Sequence, residues 1–376
     1  METKENHKKK LSRTLLMTTF LLCSIGILAN YSASALKSYD LFGSPYLFLY
    51  KQIFGVALGF LFIFLLQKMP TSVIERAPLP FFCLTSLLLA LVFVPGVYHT
   101  VGGAARWIRL GPVSLQPAEL AKVSLVFLLA KNLSRRSFRI KSLSAVYLSH
   151  LFILGFLTFF LLKQPDFGST FFLFVITFFM LFLAGLNLLH VMGSSLLMIP
   201  VTAWAIYSEP YRMKRILSFL NPWDNMDHGG FQIIQSYLAF SNGGLLGSGF
   251  GNSKQKLFYL PEAHTDFILS VLAEELGFIG VGFILLLFLY FIFICFSIMN
   301  ACKDPYRKLL AFGLTSLLTL QIVVNIGVVL GLLPTKGSSL PFLSSGVSSL
   351  LTCMLCVGIL SHLALTKDSQ TSHDDV

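Results

Sequence analysis

The chain has 376 residues, 55% of them hydrophobic and only 12% charged, with a mean hydropathy of +0.76. A soluble domain carries about twice that share of charge, so a soluble enzyme is excluded and a multi-span membrane protein is expected. The formal net charge of +11 does not point to nucleic acid, because the basic residues gather in short segments between apolar runs, the positive-inside pattern.

Residues 1–13, with Lys8, Lys9, Lys10 and Arg13, read as a cytoplasmic segment. The run at about 14–33 resembles a signal peptide in its basic front and its small-residue end. Its full length and the many spans behind it favour a retained first span. Runs near the roughly 20 residues that cross a bilayer recur at about 48–67, 78–97, 114–131, 145–163, 168–186, 188–207, 266–298, 308–331 and 343–365, which makes ten spans. An even number places both termini on one side. Lys131, Arg135, Arg136, Arg139 and Lys141, and then Lys303, Arg307 and Lys308, make that side cytoplasmic. Residues 366–376 are then a disordered cytoplasmic tail. The expected fold is all-α and integral to the membrane, one domain over residues 1–376 with no internal repeat and no separate soluble domain.

Most outer loops are short, but residues 208–265, between spans seven and eight, form a large extracytoplasmic loop. Loops of that length are uncommon unless they are functional. Ile233, Ile234, Tyr237 and Leu238 recur at helical spacing between Gly229-Gly230 and Asn242-Gly243-Gly244, which predicts a short amphipathic helix lying at the membrane surface. Of the six cysteines, Cys353 and Cys356 form a C-x-x-C without a second ligand pair, so a helix face is expected there rather than a metal site.

Four outer-facing stretches carry groups that could do chemistry. In "GGAARWIRLGPVSLQPAELAK", residues 102–122, Pro117 suits a first helical position, with Gln116 as cap and Glu119 at the third position. Lys122 can pair with Glu119 along the helix. Arg106 and Arg109 sit outside, where the positive-inside bias does not explain cations and anion binding would. "QPDFGS", residues 164–169, is a tight turn in which Asp166 could simply cap span six. In "YLPEAHTDFILSVLAEELGFIG", residues 259–280, Glu262, His264 and Asp266 stand at the mouth of span eight, with Glu274 and Glu275 inside it. Asp266 could be an ordinary helix cap. Ala273, Gly277 and Gly280 fall on its face of an ideal helix and would leave a slot for a helix or a lipid chain. Both glutamates are functional candidates by default, or members of ion pairs with other spans. The last stretch, "GLLPTKGSSLPFLSSGVSS", residues 331–349, is a Gly/Ser/Pro loop with Lys336. Outer cations (Arg106, Arg109, Arg212, Lys214, Arg215, Lys336) thus surround outer acids (Glu262, Asp266). Guanidinium forks suit a pyrophosphate and a carboxylate suits general-base work or metal binding. An enzyme or a transporter for a lipid-linked phosphate fits equally well.

These four stretches, in this order and spacing, with "NYSAS" after span one, resemble the signature regions of the SEDS family of bacterial cell-wall proteins over nearly the whole chain. The resemblance implies a ten-span peptidoglycan glycosyltransferase that polymerises lipid II at the outer face of the cytoplasmic membrane. It also implies a class B penicillin-binding protein and other division proteins as partners. Asp266 matches the family's essential aspartate, and Gln116, Glu119 and Lys122 match its fourth-span motif. Ala263 stands where elongation-type members tend to carry Gln, so a division-type, septal member is expected, with a sporulation-type member as the nearest alternative. The resemblance leads to a working mechanism. Asp266 removes the proton of an acceptor hydroxyl, or helps hold a divalent cation (Mg or Mn) that does part of this work. Arg106, Arg109 and Arg215 stabilise the departing pyrophosphate, with Glu262, His264 and Lys336 lining the site. Glu119 and Lys122 shape the cavity floor, and no organic cofactor is expected. The rival reading is a lipid II flippase, which needs polar groups reaching both leaflets, whereas these crowd the outer side. Ser345 and Val347 depart from the family's Tyr and Gly, and a Val there would resist the positive φ that Gly allows.

Overall fold

The computed structural model describes residues 2–366 except 97, 102–103, 111–112, 135–144, 186–188, 190–192, 194–195, 197–206, 208–209, 227–229 and 258. Span seven, expected at 188–207, lies almost entirely outside the described residues, as does the tail beyond 366.

The first half of the chain forms α1 (Glu2–Phe42), α2 (Leu47–Lys68), the short α3 (Thr71–Arg76) and α4 (Pro78–Leu91), then strands β1 (Tyr98–Val101), β2 (Ala104–Leu110) and β3 (Val113–Leu115), then α5 (Pro117–Ser134), α6 (Ala145–Lys163) and α7 (Phe167–Leu183). The second half forms α8 (Pro210–Leu220), α9 (Gly230–Gly243), α10 (Ile268–Ala301), α11 (Pro305–Val329) and α12 (Val347–Leu365). Five of these, α1, α2, α10, α11 and α12, are long and apolar enough to cross a membrane. The expected third, fifth and sixth spans correspond to shorter apolar helices.

The expected all-α character holds, with one small departure. Strands β1, β2 and β3 form an antiparallel sheet in that order, with Tyr98 opposite Ile108 and Ile108 opposite Leu115. The sequence between β1 and β2 is Gly-Gly, the pair that two-residue hairpins favour, and β2 carries the aromatic and branched residues suited to a pleated surface. The third helix ends at Leu91 rather than 97, ahead of the Pro95-Gly96 turn that leads into the sheet.

The bundle is layered by burial. The apolar windows of α11 and α12 are 72% and 78% buried, against 28 to 39% for α1, α2 and α10. α11 packs on α5, α7 and α10, while α12 packs on α1 and α2. The outer helices turn rows of Phe and Leu outward, such as Phe278, Phe283, Leu286 and Phe293 of α10. That arrangement costs nothing in hydrocarbon, where lipid replaces protein as the apolar partner.

Two expectations about the large loop are corrected. The helix at 230–243 forms, but its Ile233 and Ile234 are buried against protein rather than lipid. Ser236 Oγ lies 2.8 Å from Ser270 Oγ of α10 and donates to the Val329 carbonyl of α11 at 2.6 Å. The loop also enters α10. That helix is interrupted at Gly277, at φ 68° and ψ −170°. The carbonyls of Glu274 and Glu275 accept from the N–H groups of Ser248 and Gly249 at 2.9 and 3.1 Å. The N–H groups of Phe278 and Ile279 donate to the Gly244 and Leu245 carbonyls at 2.9 and 3.2 Å. An interrupted helix in an apolar setting needs such partners, and the "NGGLLGSG" segment supplies them. Only glycine takes this φ without strain, and a Cβ at Gly277 would strike the Gly247 N–H and the Leu245 carbonyl. The slot expected beside Ala273, Gly277 and Gly280 is therefore filled by the protein's own backbone.

Candidate active site

Glu274 and Glu275, the two acids inside the apolar run, serve the loop rather than an open site. Glu274 accepts from Ser253 Oγ at 2.5 Å, the Gln255 N–H at 3.1 Å and Asn242 Nδ2 at 3.4 Å. Glu275 pairs with Lys256 Nζ at 2.9 Å and accepts from Ser32 Oγ of α1 at 2.6 Å. Adjacent residues on a helix point about 100° apart, so one glutamate fastens the loop and the other ties it to α1. The ion pair joins α10 to the loop, not to another span.

Asp266 differs. Helix α10 begins at Ile268, its cap position is Phe267, and no side chain caps it. The bland cap reading therefore fails for Asp266. Among the described residues no hydrogen bond or ion pair engages its carboxylate, and only its backbone is tied. The Asp266 N–H donates to the Glu262 carbonyl at 3.1 Å, and its own carbonyl accepts from Asn325 Nδ2 at 2.9 Å. Asn325 also donates to the Ser338 carbonyl at 2.5 Å. Ser344 Oγ donates to the Thr265 carbonyl at 2.5 Å, and the Ser345 N–H donates to the His264 carbonyl at 2.9 Å. Two stretches read separately in the sequence, 259–267 and 335–346, are thus one braced platform. The carboxylate oxygen Oδ2 abuts the backbone at Gly337, where a Cβ would come within 3.0 Å of it. Burial first, and then Glu262, pushes the Asp266 carboxyl up to about 7, against the pull of Arg215 and Lys336.

The remaining sequence candidates divide. Arg215 donates from Nη1 to the Thr335 carbonyl at 2.9 Å, which brings α8 to the residue preceding Lys336. Lys336 itself is half-buried, and burial followed by Lys122 lowers its ammonium to about 7, against Asp166, Glu119 and Asp266. Glu119 and Lys122 form the expected pair, at 2.7 Å, both buried, and Gln321 Nε2 of α11 donates to Glu119 at 3.2 Å. The Gln116 N–H donates to Ser348 Oγ at 3.0 Å, joining the start of α5 to α12. Asp166 caps α7, accepting from the N–H and Oγ of Ser169 at 3.0 and 2.7 Å.

Arg106 is engaged by backbone. Its Nε and Nη2 donate to the carbonyls of Gln164 and Pro165 at 3.1 and 2.7 Å, so its fork holds the "QPDFGS" turn to the sheet. Arg109, on the same strand, is exposed. Glu262 is exposed, takes a left-handed φ of 55°, accepts from Thr265 Oγ1 at 3.0 Å and pairs with Lys37 at 3.7 Å. His264 is buried with its ring 5.4 Å from that of Phe48. Burial and then Lys37 lower it to about 4, against Glu262, so it is a neutral packing group. Val347 opens α12 and avoids the positive φ, which falls on Gly346 and Phe342 instead. The described residues hold no group of three His, Cys, Asp or Glu able to bind a metal ion.

Sequence reasoning missed Asn325 and Gln321. They lie four apart in α11, both buried, and one reaches Asp266 while the other reaches Glu119. Their signal was present: two amides at one-turn spacing within an apolar run mark a face that meets polar partners.

A multi-pass membrane protein with an unpaired carboxylate on a two-loop platform, faced by basic side chains, is the class that this fold and site define. The family described as "Cell cycle protein", FtsW/RodA/SpoVE, matches residues 13–369, and the chain belongs to that family. It is 42% identical over 350 residues to the probable peptidoglycan glycosyltransferase FtsW of Geobacter sp. (strain M18), covering 93% of this chain and 95% of the relative. It is 37% identical over 358 residues to stage V sporulation protein E of Bacillus subtilis (strain 168), covering 95% and 98%. A chain of a solved peptidoglycan synthase complex that coordinates polymerization and crosslinking superposes with a TM-score of 0.77 at 30% identity, covering 93% of this chain and 96% of that one. The rod shape determining protein RodA of Thermus thermophilus superposes with a TM-score of 0.68 at 28% identity, covering 94% and 97%.

Proposed function

We infer that this chain is a peptidoglycan glycosyltransferase of the division type, which polymerises lipid II into glycan strands during septal wall synthesis. The observation that carries the mechanism is the Asp266 carboxylate, which has its backbone tied on both sides and, among the described residues, its oxygens left without a hydrogen-bond partner. A general base works best with a pKa near the operating pH, and this carboxyl is pushed up to about 7. Asp266 takes the proton from the acceptor sugar hydroxyl as that oxygen attacks the anomeric carbon of the growing strand. The new C–O bond forms as the bond to the pyrophosphate oxygen breaks, and undecaprenyl pyrophosphate leaves. The anomeric centre inverts, with no covalent enzyme intermediate. Lys336 and Arg215, the cations that act on Asp266, stabilise the charge that develops on the leaving group. Arg106 acts one step back, by fixing the 164–169 turn, and Glu119 with Lys122 forms the floor.

The donor set does not fit a resident divalent cation. Glu262 is the one further carboxylate that acts on Asp266 among the described residues, it is itself engaged by Lys37 and Thr265, and the cations Arg215 and Lys336 act on Asp266 as well. No step is assigned to a metal.

This reading sets both termini in the cytoplasm, ten spans across the bacterial inner membrane and the 208–265 loop outside. A class B penicillin-binding protein would cross-link the strands. Purified protein given lipid II in detergent, without a transpeptidase and then with one, is the test. Strand formation is expected. Its absence even with the partner present, alongside lipid II transfer across vesicles, would make the chain a flippase.

A further inference from the structure

Lys336 has an unusual setting for a half-buried cation. Among the described residues no hydrogen bond or ion pair engages it, and its ammonium sits 3.7 Å from the centroid of the Phe172 ring on α7. The same ring carries Lys122, whose ammonium lies 4.9 Å from the centroid but is already matched by Glu119 at 2.7 Å. One turn before Phe172, Gly168 leaves the space through which the Lys336 side chain passes. A Cβ there would overlap Cε and come within 2.8 Å of Nζ. The backbone is pinned on both sides of the lysine, by Arg215 at the Thr335 carbonyl and by Asn325 at the Ser338 carbonyl.

We propose that Gly168 and Phe172 form a seat on α7 that positions the Lys336 ammonium beside the Asp266 platform and favours its charged form while leaving it free to meet an anion. The proposal rests on the reading of Lys336 as a charge that faces the leaving group. A carboxylate partner would hold the ammonium more firmly, but it would compete with an incoming phosphate. The face of a ring attracts a cation through its quadrupole without neutralising it. Phe172 is therefore a positioning residue, acting through Lys336. The charged groups that act on Lys336 come from every side: Lys122 and Glu119 from α5, Asp166 from the turn before α7 and Asp266 from the turn before α10. Burial and Lys122 work against the charged form, and the ring offsets part of that cost.

The test uses the full chain in detergent with Phe172→Leu, Phe172→Tyr and Gly168→Ala. Reductive methylation of Lys336, followed by mass spectrometry as a function of pH, reports the titration of its amine without any substrate. Phe172→Leu keeps apolar bulk but loses the ring, so the midpoint should fall by about one pH unit. Phe172→Tyr should leave it where it is. Gly168→Ala should evict the lysine and carry its midpoint up toward the ordinary value of about 10.4. An unmoved midpoint in Phe172→Leu, or in Phe172→Met should the leucine variant not accumulate, overturns the seat. So does an unmoved midpoint in Gly168→Ala, which tests it independently. Lipid II polymerisation by the same proteins separates the two layers. If its alkaline limb follows the midpoint, Lys336 acts as a cation in the reaction. If the midpoint moves and the limb does not, the seat stands and the role of Lys336 in polymerisation falls.

Discussion

Asp266 stands apart from Glu274 and Glu275 because, among the described residues, no hydrogen bond or ion pair uses its oxygens. Substituting Asn keeps the shape and leaves the backbone ties intact, so Asp266→Asn should insert, fold and bind its partner normally while losing polymerisation. Near-normal strand synthesis by that variant would remove the general base from the mechanism. The pH dependence has a definite sign. Asp266 must be ionised and its carboxyl is pushed up to about 7, so turnover should fall as pH drops below that value. Lys336 must be charged and its ammonium is lowered to about 7, so turnover should also fall above it. A narrow bell centred near neutrality is expected from lipid II turnover measured between about pH 5 and 9. Arg106 calls for a different measurement. Its two charge-assisted bonds go to the carbonyls of Gln164 and Pro165, and lysine cannot reproduce that fork. Arg106→Lys should therefore lower thermal stability, with the loss of one such bond worth about 1.5 to 3 kcal/mol. Unchanged melting with a large rise in KM would return Arg106 to the anion site.

At the scale of the element, α10 is two helical pieces joined through a foreign backbone. The first piece, from Ile268 to the break at Gly277, is short and is held by its neighbours. Gly277→Ala would force a left-handed residue to carry a Cβ against the 245–247 backbone. Strain of this kind costs about 1 to 3 kcal/mol before any clash, so proteolysis within 242–257 should accelerate and the melting point should drop. Glu275 offers a second handle. Its pair with Lys256 is buried, and removing one partner of such a pair costs about 3 to 5 kcal/mol because the other charge is left alone. Glu275→Ala should be severely destabilised, and adding Lys256→Met should recover much of the loss in thermal unfolding. A double variant no better than the single one would show that the pair contributes nothing beyond the packing of Glu275.

At the scale of the whole molecule, the loop that enters α10 must lie on the same side as Asp266. Asn252 is exposed. A cysteine placed there should react with an impermeant thiol reagent in intact spheroplasts, once Cys23, Cys83, Cys295, Cys302, Cys353 and Cys356 have been replaced. Labelling only after lysis would invert the orientation and place the whole site in the cytoplasm. The central position of α11 explains why the site holds its shape. That helix touches α5, α7 and α10 and sends Gln321 to Glu119 and Asn325 to Asp266, so one element keeps the floor and the platform in register.

The sequence alone determined the membrane class, most helices, the family and the small set of acids and bases worth testing. Hydropathy and one-turn periodicity are local properties, so helices such as α2 and α12 were legible to within a few residues. It did not reveal the sheet at 98–115, which interrupts the helical pattern with three short strands. Nor could it say which acids were already taken. Glu274, Glu275 and Asp266 look alike in an apolar run, and their partners are set by folding. Ser32 reaches Glu275 across 243 positions of chain, Gln321 reaches Glu119 across 202, and Asn325 reaches Asp266 across 59. Burial of a charge is tolerated where partners satisfy it. Among the described residues, tertiary structure supplied those partners to the two glutamates and not to the aspartate side chain, and no local sequence pattern could have told the three apart.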